Sequence, residues 1–340
     1  MSSVIAILAL ACLVIVVFAP RFGLIARYRQ VREQMRRIRQ EDALKFMLKS
    51  EANGLTPTID SVAGALNVSS SSAAQVLAEM EDKGLITHES GQLSLCNSGR
   101  EVALHVVRAH RLWESYLADQ TGVPENQWHA EAEKHEHLLS KEEADALSAR
   151  LGHPIVDPHG DFIPEPGGKL EAEPGQPLNT AALNVPMRIS HIEDEPGTVY
   201  AQLVAQGLHA GMNVTVSEKS PERIRFRADG KEQVLAPLFA NSITVRPLSQ
   251  SERAEAGDYK SLTELGLGQV ARIAGLSPAC HGAERRRLLD LGFVPGTTVS
   301  VELVGPGGNP IAYRVRGAVV ALRREQARLI KIDAIKEAAA

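Results

Sequence analysis

The strongest constraint on this chain is that it repeats itself. Leu203, Gly207, Gly211, Val214 and Val216, in the phrase LVAQGLHAGMNVTV, return 85 residues later as Leu288, Gly292, Gly296, Val299 and Val301, in LLDLGFVPGTTVSV. Further on, Leu235, Ala240, Ile243 and Val245 match Leu322, Ala327, Ile330 and Ile332 at a spacing of 87. Two copies of one small fold are implied, corresponding through their final strand. Short β-branched runs around glycine turns predict small barrels rather than helices. At 340 residues the chain has room for further modules. A net charge of -4, with 23% charged and 44% hydrophobic residues, describes an ordinary globular surface. Cys12, Cys96 and Cys280 share no pairing spacing, which argues against a disulfide framework or a thiolate zinc site and fits a reducing compartment.

Val4 to Ala19 is an unbroken apolar run, which as a helix covers ~24 Å against the ~30 Å of a bilayer core. No Lys or Arg precedes Arg21, so a cleaved secretory signal does not fit. Arg21, Arg27, Arg29, Arg32, Arg36, Arg37 and Arg39 follow the run. By the positive-inside rule this predicts a single-pass anchor with everything after residue 20 in the cytoplasm.

Helical spacing continues from Arg29 to Ser50 through Val31, Met35, Ile38, Leu44 and Leu48. Thr58 to Leu66 and Ser69 to Lys83 read as two helices, followed by Gly84 and the alternating segment Leu85 to Leu95. Helix, turn, helix and hairpin make a winged helix. Ser98 to Gln120 and Trp128 to Leu151 read as further helices, and the Pro/Gly-rich stretch Pro154 to Pro177 as a linker. Five of the eleven histidines, His105, His110, His129, His135 and His137, fall within 33 residues of this helical region. On a continuous helix, Glu133, Glu136 and His137 share one face, with His129 one turn earlier, and His110 and Glu114 form an i, i+4 pair on the preceding helix. Imidazole and carboxylate donors from two helices suit a divalent first-row metal.

The phrases TPTIDSVAGALNVSSSSAAQVLAEMEDKGLI, LSLCNSGREVA, RAHRLWESYL, WHAEAEKHEHLLS and DPHGDFIP together resemble the diphtheria toxin repressor and manganese transport regulator family, from about Glu41 to Pro164. The repeated C-terminal modules resemble the SH3-like domain of that family and of FeoA proteins. The resemblance implies an α+β multidomain protein. Its parts would be a winged helix-turn-helix with its leading helix (29–100), a helical metal-binding and dimerisation domain (101–164), a linker (165–180) and FeoA-like SH3-like β-barrels (181–248 and 260–334); the transmembrane anchor (1–28), read from the apolar run, and the second barrel depart from the usual soluble regulator of that family. It also implies two metal sites, one of His110, Glu114 and His129, the other of Asp42, Glu133, Glu136 and His137, binding Mn2+ or Fe2+. Asp42 lies on the helix leading into the DNA-binding unit, where metal occupancy can bias that unit's position. Manganese(II) is favoured, because the iron-sensing branch has sulfur ligands where this chain has Asp42 and Glu133. Lys45 stands where the manganese regulators carry a carboxylate, and a cation there disfavours a second metal.

An enzymatic reading fails on register. The H-E-x-x-H pattern would need histidine where Leu139 stands, and the inverted pattern would need one at Glu133. No nucleophile motif or phosphate-binding glycine loop is present. The residues placed to read a major groove are Ser71, Ser72 and Gln75, glutamine being able to pair bidentately with adenine. Ser69 to Ala78 contains no Lys or Arg, so phosphate attraction would fall to Arg36, Arg37, Arg39 or Arg100. The leading expectation is a metal-dependent regulator, a repressor of metal homeostasis genes, that binds operator DNA as a homodimer while anchored to the membrane. The alternative is a membrane metal sensor that regulates a metal transporter by protein contact.

Overall fold

A computed structural model describes residues 23–89, 92–170, 174–228, 230–250, 252, 259–333 and 335–337. The chain is α+β and divides into two compact units. One comprises residues up to 109 with 136–138 and 164–172, and the other holds the rest.

The first unit begins with α1 (Leu24–Ala52), of which only the second half is buried, through Gln40, Ala43, Leu44, Met47, Leu48 and Ser50. Thr58 and Ser61 form a reciprocal capping box that starts α2 (Ile59–Ala65). Ser69 caps α3 (Ser70–Asp82) by accepting the Ser72 N–H. Gly84 ends α3 at φ +67°, a left-handed position that glycine takes without a side-chain clash. The chain then turns into the hairpin of β1 (Ile86–Glu89) and β2 (Gln92–Leu95). Leu44, Met47, Val62, Leu77, Met80, Ile86 and Leu104 close one core around these elements. Leu104 belongs to α4 (Asn97–Gln120), the long helix that follows the hairpin.

The second unit contains α5 (Trp128–His135) and α6 (Lys141–Arg150). These were expected as one helix. Ser140 and Glu143 form a capping box that starts α6 afresh, and α5 has already ended at His135. Glu136 and His137 therefore lie in a turn rather than on a helical face. The expected linker from Pro154 is also more structured than its composition implied. Asp157 is buried, and its Oδ1 accepts the N–H groups of His159, Gly160 and Asp161, while Val156 and Phe162 form an antiparallel bridge.

Two antiparallel sheets complete this unit. The first holds β3 (Gln176–Pro177), β4 (Pro186–Ile192), β5 (Asn213–Lys219), β6 (Ile224–Ala228), β7 (Lys231–Leu235) and β8 (Ile243–Pro247), in the order β3-β8-β4-β5-β6-β7. Between its strands run α7 (Gly197–Ala205) and α8 (Pro237–Asn241). The second holds β9 (Lys260–Ser261), β10 (Gln269–Leu276), β11 (Thr298–Val304), β12 (Ile311–Val315), β13 (Ala318–Leu322) and β14 (Ile330–Ile332), with α9 (Gly282–Asp290) and α10 (Arg324–Arg328) between them. Its order is β9-β14-β10-β11-β12-β13, with β15 (Lys336–Glu337) added on β10. The two orders are the same. Val216 faces Phe226 and Val301 faces Tyr313, and in each pair the register slips just beyond that point. The repeat thus reaches down to a shared bulge, with Phe226 and Tyr313 filling equivalent core positions.

The apolar run Val4 to Ala19 lies outside the described residues. Among the described residues, no helix is long and apolar enough to cross a membrane. The longest, α1, carries Arg27, Arg29, Arg32, Arg36, Arg37 and Arg39. The expected single-pass membrane location is corrected accordingly, and with it the membrane as a partner.

Gly160 sits at φ +102°, and a Cβ there would lie 1.9 Å from the Ser190 carbonyl oxygen of β4. The neighbouring His159 carbonyl accepts the Ile192 N–H at 2.9 Å, so this approach fixes the buried histidine against the sheet. Gly160→Ala is predicted to destabilise the second unit by at least about 1–3 kcal/mol, the scale of a strained backbone position. Thermal unfolding checks this, and an unchanged melting temperature would refute it.

Candidate metal centres

The richest cluster belongs to the second unit. His110 and Glu114, one turn apart on α4, bring Nε2 and Oε1 to 3.0 Å. His129, near the start of α5, places Nδ1 3.2 Å from His110 Nε2 and 3.4 Å from Glu114 Oε1. Asp194, just beyond β4, completes the group, with Oδ2 2.7 Å from His129 Nδ1. One donor atom from each of the four residues lies within 4.8 Å of the others. Glu114 is 1% exposed, and His110 and Asp194 are also buried. His159 stands behind them, its Nδ1 3.5 Å from Glu114 Oε2 and 3.7 Å from Asp194 Oδ2. Glu114 Oε1, His129 Nε2 and both His159 ring nitrogens are buried without a well-aligned hydrogen bond. Such a concentration of unsatisfied lone-pair donors is what a cation relieves, and this donor set fits a divalent first-row ion.

Its electrostatics follow from burying carboxylates. Burial drives Glu114 upward, but the charges of His110 and His159 outweigh it and hold the carboxyl well below its usual range. Burial drives His159 downward, yet Glu114 raises it to about 10. His129 is raised far further against burial, by hydrogen bonds to Asp194 and Glu114. Without metal, imidazolium protons thus balance the acids; a bound ion would take over that charge and displace them.

The second group lies in the first unit. His137 Nε2 is 3.0 Å from Asp42 Oδ1 and 3.4 Å from Glu136 Oε1. Its Nδ1 is 2.7 Å from Glu41 Oε2, a contact that turns the other nitrogen toward Asp42 and Glu136. Burial lowers His137, but hydrogen bonds to Asp42 and Glu41 outweigh it and hold the imidazole at about 9. Lys45 Nζ lies 3.0 and 2.7 Å from the two oxygens of Glu136, which is 2% exposed. An ammonium therefore already grips the carboxylate that this group would offer to a metal.

Glu133, expected in the second group, instead stands with His129 and Glu195, its Oε1 3.6 Å from His129 Nε2. The break after His135 explains this, since Glu133 stays on α5 while Glu136 and His137 leave it. Sequence reasoning missed Asp194, Glu195, His159 and Glu41. The visible signals were the acidic run Glu193-Asp194-Glu195, the histidine inside DPHGDFIP, and the acid beside Asp42. His135, which belongs to neither of the expected ligand sets, stacks on Trp113 with centroids 4.5 Å apart.

In the winged unit, Ser71, Ser72 and Gln75 are exposed on α3. The hydroxyls of Ser71 and Ser72 lie 3.1 and 3.0 Å from that of Ser69, within the helix cap. Several nearby arginines are engaged internally. Arg36 pairs with Glu79 at 2.6 Å, Arg37 with Glu41 at 3.2 Å, and Arg100 with Glu51 at 2.5 Å.

Residues 97–165 match the iron dependent repressor metal binding and dimerisation domain, and residues 260–334 match the FeoA domain. The chain is 29% identical over 216 residues to the diphtheria toxin repressor of Corynebacterium diphtheriae, covering 60% of this chain and 95% of that protein. It is 28% identical over 211 residues to the iron-dependent repressor IdeR of Mycobacterium leprae, covering 57% of this chain and 90% of that protein. A manganese-dependent transcriptional repressor, solved in complex with manganese, superposes with a TM-score of 0.57 at 28% identity, covering 62% of this chain and all of that one. The chain is thus similar, over more than half its length, to the diphtheria toxin repressor and the iron-dependent repressors. These relatives are repressors, a non-enzymatic class.

Metal uptake at pH 7 should release at least one proton per ion, measured by calorimetry in buffers of differing ionisation enthalpy; no release would contradict the charge exchange. In the metal-free protein, the raised histidines stabilise the fold fully below their ordinary 6.5, and this is lost as pH rises through about 9 for His137 and about 10 for His159. Lys45→Gln should strengthen manganese(II) binding at the Asp42 group by about tenfold or more, since it removes a cation held beside Glu136. Equilibrium dialysis checks this, and unchanged affinity would show that Lys45 does not restrain the site.

Proposed function

We propose that the chain is a metal-dependent transcriptional repressor of metal homeostasis genes, acting as a homodimer on operator DNA. The observation that carries this reading is the His110, Glu114, His129 and Asp194 group, whose first three members lie in the segment matching a metal-binding and dimerisation domain. Its ligands are His110, Glu114, His129 and Asp194 in one site and Asp42, Glu136 and His137 in the other, with Glu133 at the edge of the first. Manganese(II) or iron(II) is the effector, as the names of the relatives support, and the oxygen-rich donor set favours manganese(II). The bound ion would supply fixed positive charge among buried acids. The residues themselves do the rest: Glu41 orients His137, His159 backs Glu114 and Asp194, and Lys45 restrains Glu136. The domain boundaries proposed from the sequence stand beside this reading, as do two SH3-like modules, a view supported by the matching strand orders of the two sheets. The repressor names of the relatives favour DNA binding over contact with a transporter.

Ser71, Ser72 and Gln75 are the proposed DNA-reading residues. Because Arg36, Arg37 and Arg100 are engaged by carboxylates, few cations remain for phosphates, and binding should show a shallow salt dependence. The test is DNA retention by the full chain, mapped genome-wide and titrated with manganese(II) and with anaerobic iron(II). Retention should require metal, and Gln75→Ala should reduce discrimination at one base pair by ~1–3 kcal/mol while leaving nonspecific binding in place. Absence of retention by metal-loaded protein at low salt would reject the reading.

A further inference from the structure

A third donor cluster, sharing no residue with the two groups above, joins three separate parts of the second unit. Glu125 begins the 3-10 turn Glu125–Gln127 between α4 and α5. His209 lies in the turn between α7 and β5, in the first repeat, and His281 is the N-cap of α9, in the second. One donor atom from each lies within 4.8 Å of the others. His209 is 8% exposed, and its Nδ1 is 3.1 Å from Glu125 Oε1. The same oxygen accepts the Tyr200 hydroxyl at 2.8 Å. His281 sets its ring edge-on to Trp128, with centroids 5.4 Å apart, and 6.1 Å from the ring of His209.

We propose that Glu125, His209 and His281 form a further metal site, for a borderline first-row ion of the zinc(II) type, that fastens both β-modules to the turn between α4 and α5. Two imidazoles and one carboxylate are a donor set that zinc(II) accepts, leaving a fourth position for water. The same set is poor for calcium or magnesium, which take oxygen ligands. Around an ion with bonds of ~2.0–2.1 Å, tetrahedral ligands stand roughly 3.4 Å apart, so the present spread closes by small side-chain rotations. The Tyr200 hydroxyl supplies the outer hydrogen bond that orients a ligating carboxylate. Burial lowers His281 and outweighs the attraction of Glu125, favouring the neutral imidazole that a metal needs. Cys280, beside it in sequence, is a buried core residue whose thiol burial pushes up to about 11, so it stays a packing group rather than a thiolate ligand.

The repeat argues against these histidines being scaffold. Applying the 85-residue offset, His209 corresponds to Val294 and His281 to Pro196, and Pro196 is likewise the N-cap of its helix. The fold is built in each copy without a histidine at the other copy's position. Each copy brings a histidine from a different place, His209 from the first and His281 from the second, and the two meet at one carboxylate. The first module also supplies Asp194 to the His110 group, so an ion at this third site would hold that ligand's module in place. This inference does not depend on the DNA-binding reading.

The test counts ions bound by the full chain, using zinc(II) in equilibrium dialysis and cobalt(II) by visible absorption. His209→Ala and His281→Ala should each lose one zinc equivalent and one cobalt band relative to the unaltered chain. Glu125→Gln, which keeps the size of the side chain and an oxygen acceptor, should weaken that equivalent by at least about tenfold, the scale on which even supporting groups act. Zinc should also slow amide exchange together at residues 123–128, 207–212 and 280–284, an effect lost in His281→Asn, which covers the case of an unfolded alanine variant. Unchanged stoichiometry in both histidine variants, or zinc-independent exchange at these segments, would overturn the proposal.

Discussion

A carboxylate taken out of water must find positive charge, and Glu114 is the residue on which this requirement falls hardest. At 1% exposure it has almost no solvent, and burying an unpaired anion would cost several kcal/mol. The surrounding arrangement answers that demand. His110 is one turn away, His129 arrives on the next helix, His159 comes up from the segment after α6, and Asp194 enters from the first sheet. With Asp194 and Asp157 adding further acid, protons on the imidazoles meet the need only in part of the pH range. A divalent ion meets it at fixed geometry. The helical segment and the first β-module are thus joined by electrostatic necessity.

How much of this was legible depended on where each pair of residues lies. His110 and Glu114 stand four apart on a helix whose apolar spacing is plain, so their meeting was visible. Gln75 and its neighbouring serines were visible in the same way, because a capping serine and a terminal glycine bracket α3. Asp194 was hidden because it reaches His129 only through tertiary structure, and three consecutive acids give no hint of which one turns inward. Glu136 and His137 were assigned to the right neighbourhood for the wrong local reason. The Ser140–Glu143 cap starts a new helix after them, and the freed turn separates them from Glu133. The duplicated modules were legible down to individual core positions, since a repeat carries its own internal control. The meeting of His209 and His281 was not, because residues unique to each copy drop out when the two are compared.

Lys45 shows how one substitution changes the character of a site without changing its shape. Asp42, Glu136, His137 and Glu41 are gathered as a ligand group with a supporting carboxylate. Lys45 reaches in and grips both oxygens of Glu136. A side-chain ammonium is a compact point charge on a flexible stem, and it satisfies the carboxylate without any ion being recruited. The two groups on this chain therefore differ in what answers their acids without metal, a lysine ammonium at Glu136 and imidazoles at Glu114.

The ion pair between Arg36 and Glu79 has a mechanical meaning. Arg36 and Asp42 sit on the same uninterrupted helix, six residues and therefore roughly 9 Å apart along its axis. Arg36 grips Glu79 at 2.6 Å, and Gln40 adds a second hold on the same oxygen at 3.1 Å. Glu79 belongs to the helix that carries Gln75, one turn further on. No loop intervenes between the Asp42 end and the Arg36 end to absorb a displacement. A displacement of Asp42 along the axis would therefore move Arg36 and Gln40 with it, and both of these holds on the Gln75 helix fall on one carboxylate oxygen.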